Sequence, residues 1–246
     1  MLDAAATTFD VVELRRYRTH PGKRDALIAL FDRELTETQE ACGMVPIGQF
    51  CDLDDPDAFV WFRGFARAEG RRRALEAFYR ESPAWKQHRA AANDTLADND
   101  DVLLLHDARA GSGFDLTGVG RPAGTEARAR DFVGVAVLML DGPAGDDFVR
   151  AFETDVLPRL QPHAHRVAYL VTDDRENDFP ALPVREGEHA FVVAGICPDD
   201  RALEHWAKTF WAQDAPEPVR SHVCRTEILR LEPTPRSLYG NELTAG

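Results

Sequence analysis

The sequence has few cysteines, and their spacing matches neither a metal site nor a disulfide framework. Cys42, Cys51, Cys197 and Cys224 are scattered singly, without a CxxC pair. Such cysteines in a chain of 246 residues are typical of reduced thiols in a reducing compartment. The sequence also lacks an apolar run near the roughly 20 residues that a membrane span needs, and its first residues, MLDAAATTFD, lack the features of a signal peptide. We therefore expect a cytoplasmic protein with no membrane span.

Positive charge is scarce as well. The formal net charge is −13, and lysine occurs only at positions 23, 86 and 208. A polyanionic partner would be repelled by this charge, which argues against broad binding of nucleic acid or anionic membranes. What remains is the composition of an ordinary globular protein, with 44% hydrophobic residues.

The common motifs of catalysis and cofactor binding are missing. There is no GxGxxG, no P-loop, no HExxH and no GxSxG, and the glycines of DLTGVGRPAG neither follow a strand nor open a helix. His163 and His165 form an H-x-H pair without a supporting cluster of cysteines or carboxylates. His205 lies off the apolar stripe of its predicted helix and so should face solvent. We therefore expect no cofactor and no metal.

Two regions of the chain repeat the same order of elements. The first region predicts a strand, a long helix that Gly43 ends, two strands, two helices separated at Ser82-Pro83, and a strand. Its strands are predicted at 9–18, 44–53, 58–65 and 100–107, with helices from Pro21-Gly22 to about 42, over 68–79 and from Ser82. The second region predicts strands at 132–140, 165–173, 189–196 and 223–232, with helices over 146–157 and from Asp199 or Asp200.

This order, βαββαβ followed by βαββαβ, indicates a duplication. Each unit has the split βαβ order of a ferredoxin-like fold, which leaves one face of its sheet bare. Because the strands are apolar with little alternation, both faces should be buried, so the two bare faces should pack on each other. We predict an α+β fold in which two tandem ferredoxin-like halves form an intrachain α+β barrel. The predicted boundaries are 8–108 and 131–233 for the halves, 109–130 for a Gly- and Ala-rich linker, and 234–246 for a tail.

Four segments resemble the NIPSNAP family of the dimeric α/β-barrel superfamily. They are VELRRYRTHPG, FYRESPAWKQHR, ANDTLADNDDVLLL and RTEILRLEPTPRSL, spread over both halves. The resemblance implies a ferredoxin-like α+β barrel. Related barrel families include cofactor-independent monooxygenases of phenolic substrates, haem-binding enzymes and small-molecule isomerases. NIPSNAP proteins share no agreed catalytic motif, so the resemblance assigns no role to any residue here.

The first strand carries the charges that suggest a site. Glu13, Arg15 and Tyr17 share one face, because side chains alternate along a strand, and Leu14 lies on the other. We expect Leu14 to pack on the helices, which would turn the three polar residues toward the barrel interior. Trp61 and Arg63 on the third strand, and Gln49 on the second, would then join them.

Two interpretations of these residues remain open. The first is a pocket for a small anionic or aromatic ligand, held by arginines and aromatic walls and lined by Arg15, Tyr17, Gln49, Trp61, Arg63 and Trp85. The second is a structural pair of glutamate and arginine, with Trp61 as ordinary packing. Catalytic residues are unknown, and the candidates for acid–base chemistry are His88, which lies three positions after Trp85, and Glu13.

Two classes of function follow. One is an enzyme or binding protein for a small molecule, with cofactor-independent oxygenation or proton transfer as its chemistry. The other is a non-catalytic interaction or scaffold protein with a solid barrel. A void of roughly 300 Å³ that reaches solvent inside the barrel would favour the first, and a barrel filled by side chains would overturn it. An intrachain barrel needs no dimer, although its helices or sheet edges leave a homodimer open.

Overall fold

The first half consists of four strands and two helical segments, which pack on one face of the sheet. The computed structural model describes residues 6–123, 131–210 and 216–241. The strands are β1 (Val11–Thr19), β2 (Val45–Asp52), β3 (Ala58–Phe65) and β4 (Leu96–Asp107), and the helices are α1 (Arg24–Leu30), α2 (Thr36–Ala41), α3 (Arg71–Glu76) and α4 (Pro83–Asn93). A π-helical turn over Phe31–Leu35 joins α1 to α2, and Ala77–Glu81 forms another after α3.

Local sequence signals explain where these helices start and stop. The Ser82 hydroxyl accepts a hydrogen bond from the backbone N–H of Trp85, and Pro83 occupies the first helical position, so the predicted start of α4 is confirmed. Gly43 has a φ of 92° directly after α2, a left-handed conformation that favours glycine and ends the helix as predicted.

The second half repeats this order. Its strands are β5 (Phe132–Leu140), β6 (His165–Thr172), β7 (Ala190–Cys197) and β8 (Val223–Pro233), and its helices are α5 (Asp146–Ala151), α6 (Leu157–Leu160), α7 (Asp200–Phe210) and the short α8 (Glu217–Arg220). A π-helical turn over Phe152–Val156 joins α5 to α6. Both halves therefore have the βαββαβ order that the sequence predicts.

The eight strands form one closed antiparallel barrel in the order β1-β3-β2-β8-β5-β7-β6-β4. The two halves meet at two seams, where Cys51 of β2 pairs with Glu232 of β8 and His106 of β4 pairs with Val171 of β6. Closure of the barrel pairs the two edge strands of one half with those of the other, so no strand edge stays exposed among these eight strands. The predicted α+β barrel formed within one chain is confirmed.

The barrel interior is packed with apolar side chains from both halves. Val12, Leu14 and Phe62 of the first half lie in one buried cluster with Val135 and Val192 of the second half. The predicted packing of two bare sheet faces on each other is therefore observed. Side chains of the described residues fill this interior, which contradicts the expected ligand site inside the barrel and the small-molecule function that depended on it.

The predicted orientation of β1 is wrong. Leu14 faces the barrel interior, whereas Glu13, Arg15 and Tyr17 face the helices, with Trp61 and Arg63 beside them. The physical reason is that the interior between two apolar sheets offers no partner for a charge, while the helix layer supplies hydrogen-bonding side chains. Among the described residues, no helix is both long and apolar enough to cross a lipid bilayer.

Candidate functional site

A cavity lies between the first-half sheet and its helices. It has a volume of about 270 Å³, and we call it the first-half cavity. Its walls come from β1, β3, β4, both π-helical turns of the first half and α4, together with two residues from the loop between β6 and β7. The lining residues are Tyr17, Leu27, Phe31, Leu35, Gln39, Trp61, Phe78, Tyr79, Trp85, Ala92, Asn93, Leu96, Asn99, Ala181 and Leu182. Asn93 is exposed, so the cavity reaches solvent at the end of α4.

Six of the fifteen residues that line the cavity are aromatic. Trp61 is packed edge-on by Phe31, with ring centroids 4.9 Å apart, and by Tyr17 at 5.8 Å. Trp85 lies 5.0 Å from Tyr79, also edge-on. Such edge-to-face pairs hold rings in fixed positions and present flat apolar surface to a ligand. Part of the cavity wall is therefore flat, apolar surface that ring contacts hold in place.

Behind the aromatic wall lies a buried group of charged residues, Glu13, Arg15, Arg63 and Arg71, which we call the arginine cluster. Glu13 Oε2 accepts from Arg15 Nη1 at 2.9 Å and from Arg63 Nε at 2.8 Å. Glu13 Oε1 accepts from Arg71 Nη2 at 2.7 Å and Nε at 3.0 Å. All four side chains are at most 3% exposed. Among these four residues, the one carboxylate accepts hydrogen bonds from all three guanidinium groups.

The arginine cluster lowers the pKa of Glu13 to about 2. Burial alone would raise this pKa, because it penalises the carboxylate, but the charges of Arg63, Arg15 and Arg71 more than offset burial. A carboxylate with so low a pKa is a weak base at neutral pH. Glu13 is therefore placed as the counter-ion of the arginines.

Two tyrosines connect the arginine cluster to the cavity. Arg15 Nε donates to the Tyr17 hydroxyl at 2.8 Å, and Arg63 Nη1 donates to the Tyr79 hydroxyl at 3.2 Å. Since an arginine occupies a lone pair on each hydroxyl oxygen, each hydroxyl hydrogen is left to donate elsewhere. Burial raises the pKa of Tyr17, although Arg15 acts in the other direction, so its proton is retained. Both tyrosines are among the residues that line the cavity.

Two buried N–H groups near the cavity have no hydrogen-bond acceptor among the residues that the structure describes. They are the indole Nε1 of Trp61, which lines the cavity, and the Nη2 of Arg15. Most buried donors in proteins have a partner, and those that do not often mark a place where a ligand or water binds. The side of the cavity near Trp61 therefore combines unused donors with buried positive charge.

The structure brings most of the predicted site residues together, on the helix side of the sheet. Tyr17, Trp61 and Trp85 line the cavity, while Arg15 and Arg63 lie directly behind it. Gln49 is buried on the same face, and its amide donates to Thr36. Neither Gln49 nor His88 lines the cavity; the half-buried His88 is 3.6 Å from Glu34 of the first π-helical turn.

Sequence reasoning missed several residues of this site. Arg71, which lies in the run RRRALE, and the helical residues Gln39 and Tyr79 were not predicted as site residues. The π-helical turns that bring in Phe31, Leu35, Phe78 and Tyr79 leave no clear sequence signal, and such turns occur frequently at functional sites. The contribution of Ala181 and Leu182 follows only from the three-dimensional arrangement of the two halves.

The second half does not repeat the arginine cluster. The β5–β7 pair of the second half corresponds to the β1–β3 pair of the first half. At the positions of Glu13, Arg15 and Tyr17, β5 has Gly134, Ala136 and Leu138. At the positions of Arg63 and Trp61, β7 has Gly195 and Val193. A Cβ atom on Gly134 would lie 2.4 Å from the ring of Trp206, so that indole fills the corresponding space. The charged site is specific to the first half.

The histidines weighed as metal or haem ligands lie away from the cavity. His205 is exposed, as predicted, and its ring stacks on that of His163 with centroids 5.1 Å apart. His165 is 3.7 Å from Asp131. Within the described residues, no group of three or more His, Cys, Asp or Glu side chains is arranged to hold a metal ion.

Comparisons with known proteins agree with this architecture. The NIPSNAP family model matches residues 12–106, which include every strand residue of the arginine cluster, so the resemblance expected from the sequence is confirmed for the first half. A NIPSNAP family protein of Agrobacterium tumefaciens is 19% identical and covers 43% of this chain and 91% of its own, with a TM-score of 0.38. No curated protein matches the chain.

Solved structures share the whole barrel. A "Putative monooxygenase" of Fusobacterium nucleatum covers 97% of this chain and 98% of its own, with 11% identity and a TM-score of 0.59. A protein of the same name from Lactobacillus acidophilus covers 92% and 96%, with 11% identity and a TM-score of 0.55. At such identities the likeness concerns the fold.

Proposed function

We propose that the chain binds a small aromatic anion in the first-half cavity. The observation that carries this proposal is the coincidence of aromatic walls with unused donors backed by buried positive charge. An aromatic ring would lie between Trp61 and Trp85, and its anionic oxygen would accept from the Tyr17 and Tyr79 hydroxyls and from Trp61 Nε1. A carboxylate or a phenolate fits this donor set.

The donors are arranged before the ligand arrives. Arg15 and Arg63 fix the two hydroxyl oxygens, and Glu13 fixes both guanidinium groups. Donors that are already oriented lose little freedom on binding, and inside a partly dry cavity they interact strongly with negative charge. This organisation supports selective recognition of an anion over its neutral analogue.

Binding is tested by calorimetric titration with benzoate and with benzamide, its neutral analogue of nearly the same shape. We expect benzoate to bind at least tenfold more tightly, because only the carboxylate matches the excess of donors and positive charge. Tyr17→Phe should weaken benzoate binding by about tenfold or more, the usual effect of losing a hydrogen bond to a charged group. Equal affinities for benzoate and benzamide would contradict the proposal.

The control is the same substitution in the second half. Tyr169 lies on β6 and packs against the second-half helices, and its hydroxyl donates to Glu153. Tyr169→Phe removes one hydroxyl without touching the first-half cavity, so benzoate affinity should stay at the wild-type value. A similar loss in both variants would show that the effect of Tyr17→Phe is not local to the cavity.

A second candidate function is oxygenation of a bound phenol by dioxygen. The donor set favours it, because hydrogen bonds and positive charge stabilise a bound phenolate, the electron-rich form of a phenol. No His, Asp or Glu is among the lining residues in the described part of the chain, so the cavity stabilises an anion without offering a carboxylate or imidazole base. Oxygen uptake with hydroquinones that bind the protein would test this chemistry, and bound phenols without oxygen uptake would exclude it for those substrates.

A further inference from the structure

The loop between β6 and β7 crosses from the second half onto the first-half cavity. We call residues 173–189 the crossing loop. Its Ala181 and Leu182 line the cavity, and Phe179 is 3% exposed, with its ring stacked 6.2 Å from that of Tyr79. The loop therefore supplies an outer wall to a site whose other walls all belong to the first half.

Specific contacts fix the crossing loop in this position. The backbone N–H of Asp173 donates to Leu104 O, and that of Arg185 donates to Val102 O, each at 2.9 Å, which ties both ends of the loop to β4. Within the loop, Asn177 Nδ2 donates to Leu182 O at 2.8 Å. These hydrogen bonds attach the crossing loop to β4 and hold Leu182 in place, so the loop is a fixed part of the cavity wall.

One residue of the crossing loop is part of the charge balance behind the cavity. Arg71 pairs with Asp178 and donates to Asn177 Oδ1 at 3.3 Å, while its other nitrogens bind Glu13. Three guanidinium groups face the carboxylates of Glu13 and Asp178, which leaves one positive charge among these directly bonded residues. A ligand with one negative charge would balance it.

We propose that Asp178 is a specificity-determining residue that makes the first-half cavity prefer singly charged over doubly charged aromatic anions. This inference rests on the proposed function, since it concerns the ligand of the same site. A second negative charge on the ligand would find no balancing positive charge and would be repelled by Asp178. Removing the Asp178 charge would leave two positive charges and admit a dianion.

The test compares two probes of nearly the same shape, isophthalate with two negative charges and 3-carbamoylbenzoate with one. The quantity measured is the ratio of their dissociation constants, by calorimetry at low ionic strength, where screening is weakest. For Asp178→Asn we expect the preference for the monoanion to fall by about fivefold, the order of magnitude expected for one charge that acts at intermediate dielectric without direct contact.

Two control variants separate charge from loop geometry. Asp178→Glu keeps the charge and should keep the wild-type ratio. Glu188 lies in the same loop and is similarly exposed, 34% against 39% for Asp178, but it pairs with Arg185 instead of Arg71. Glu188→Gln should therefore also keep the wild-type ratio. An equal change in Asp178→Asn and Asp178→Glu would overturn the proposal, because loop geometry would then be responsible.

The outcomes distinguish this inference from the proposed function. If the wild-type protein binds 3-carbamoylbenzoate but the ratio in Asp178→Asn is unchanged, the role of Asp178 is refuted and the anion site stands. If the wild-type protein binds neither probe and does not bind benzoate, the proposed function fails, and the role of Asp178 fails with it.

Discussion

Replacing Glu13 with Gln is expected to lower the free energy of unfolding by about 3–5 kcal/mol, the cost of breaking a buried ion pair by removing one partner. The carboxylate of Glu13 accepts from Arg15, Arg63 and Arg71, and all four side chains are buried. The neutral amide would leave three buried guanidinium groups with Asp178 as their remaining carboxylate partner in direct contact. Urea denaturation at pH 7 measures the loss.

A second substitution tests whether uncompensated charge causes this loss. In Glu13→Gln/Arg63→Gln one charge of each sign is removed, so the double variant should be more stable than the sum of the two single variants predicts. Glu188→Gln breaks a partly exposed pair and should change stability by less than about 1 kcal/mol. If Glu13→Gln is no more destabilising than Glu188→Gln, the arginine cluster is not held together as described.

Acidification is expected to remove about 3 kcal/mol of stability through Glu13 alone. Its pKa is about 2 in the folded protein against an ordinary value of 4.5, and each pKa unit corresponds to about 1.4 kcal/mol. Because the folded-state pKa is the lower one, this stability is present above about pH 4.5 and is lost as the pH falls toward 2. Unfolding free energies measured between pH 6 and pH 2.5 should show the loss.

Other carboxylates titrate in the same range, so the comparison must isolate Glu13. Burial raises the pKa of Asp32 from 3.8 to about 6, although Arg236 and Arg121 act against it. Asp32 therefore lowers the free energy of unfolding as the pH rises from 3.8 to about 6, which is opposite to the effect of Glu13. The stability difference between wild type and Glu13→Gln/Arg63→Gln removes this contribution, because Asp32 is present in both. That difference should shrink on acidification, and a constant difference would contradict the low pKa of Glu13.

The fold could be predicted from the sequence because its signals are repeated. Apolar strands without alternation, two matching orders of elements and caps such as Ser82 and Gly43 all indicated two ferredoxin-like halves that bury both sheet faces. Except for the helix that begins at Ser82, which has no clear counterpart, the elements of one half were supported by those of the other. The exact positions of the π-helical turns were not predictable, because the sequence that forms them also forms α-helix.

The candidate site could be predicted only in part. The shared face of Glu13, Arg15 and Tyr17 follows from strand alternation and is correct, but alternation does not say which of the two buried faces meets the barrel interior. The deciding residue is Arg71, whose guanidinium reaches Glu13 from the helix layer across 58 positions of sequence. No periodic pattern indicates such a contact.

The two halves share one fold but differ in the side chains that they bury between sheet and helices. The second half buries Gly134, Ala136 and Leu138 where the first half buries charge, and Trp206 fills the space. At the same time it contributes Ala181 and Leu182 to the wall of the first-half cavity. One half therefore carries the charged site while the other stabilises the barrel and covers that site.

We propose that the ligand site lies between the first-half sheet and its helices, outside the barrel. A crystal structure of the protein with 4-iodobenzoate tests this placement, because the anomalous signal of iodine locates the probe. We expect an iodine peak in the first-half cavity, with the carboxylate within hydrogen-bond distance of Tyr17, Tyr79 or Trp61 Nε1. A peak inside the barrel or in the second-half helix layer, with the first-half cavity empty, would contradict it.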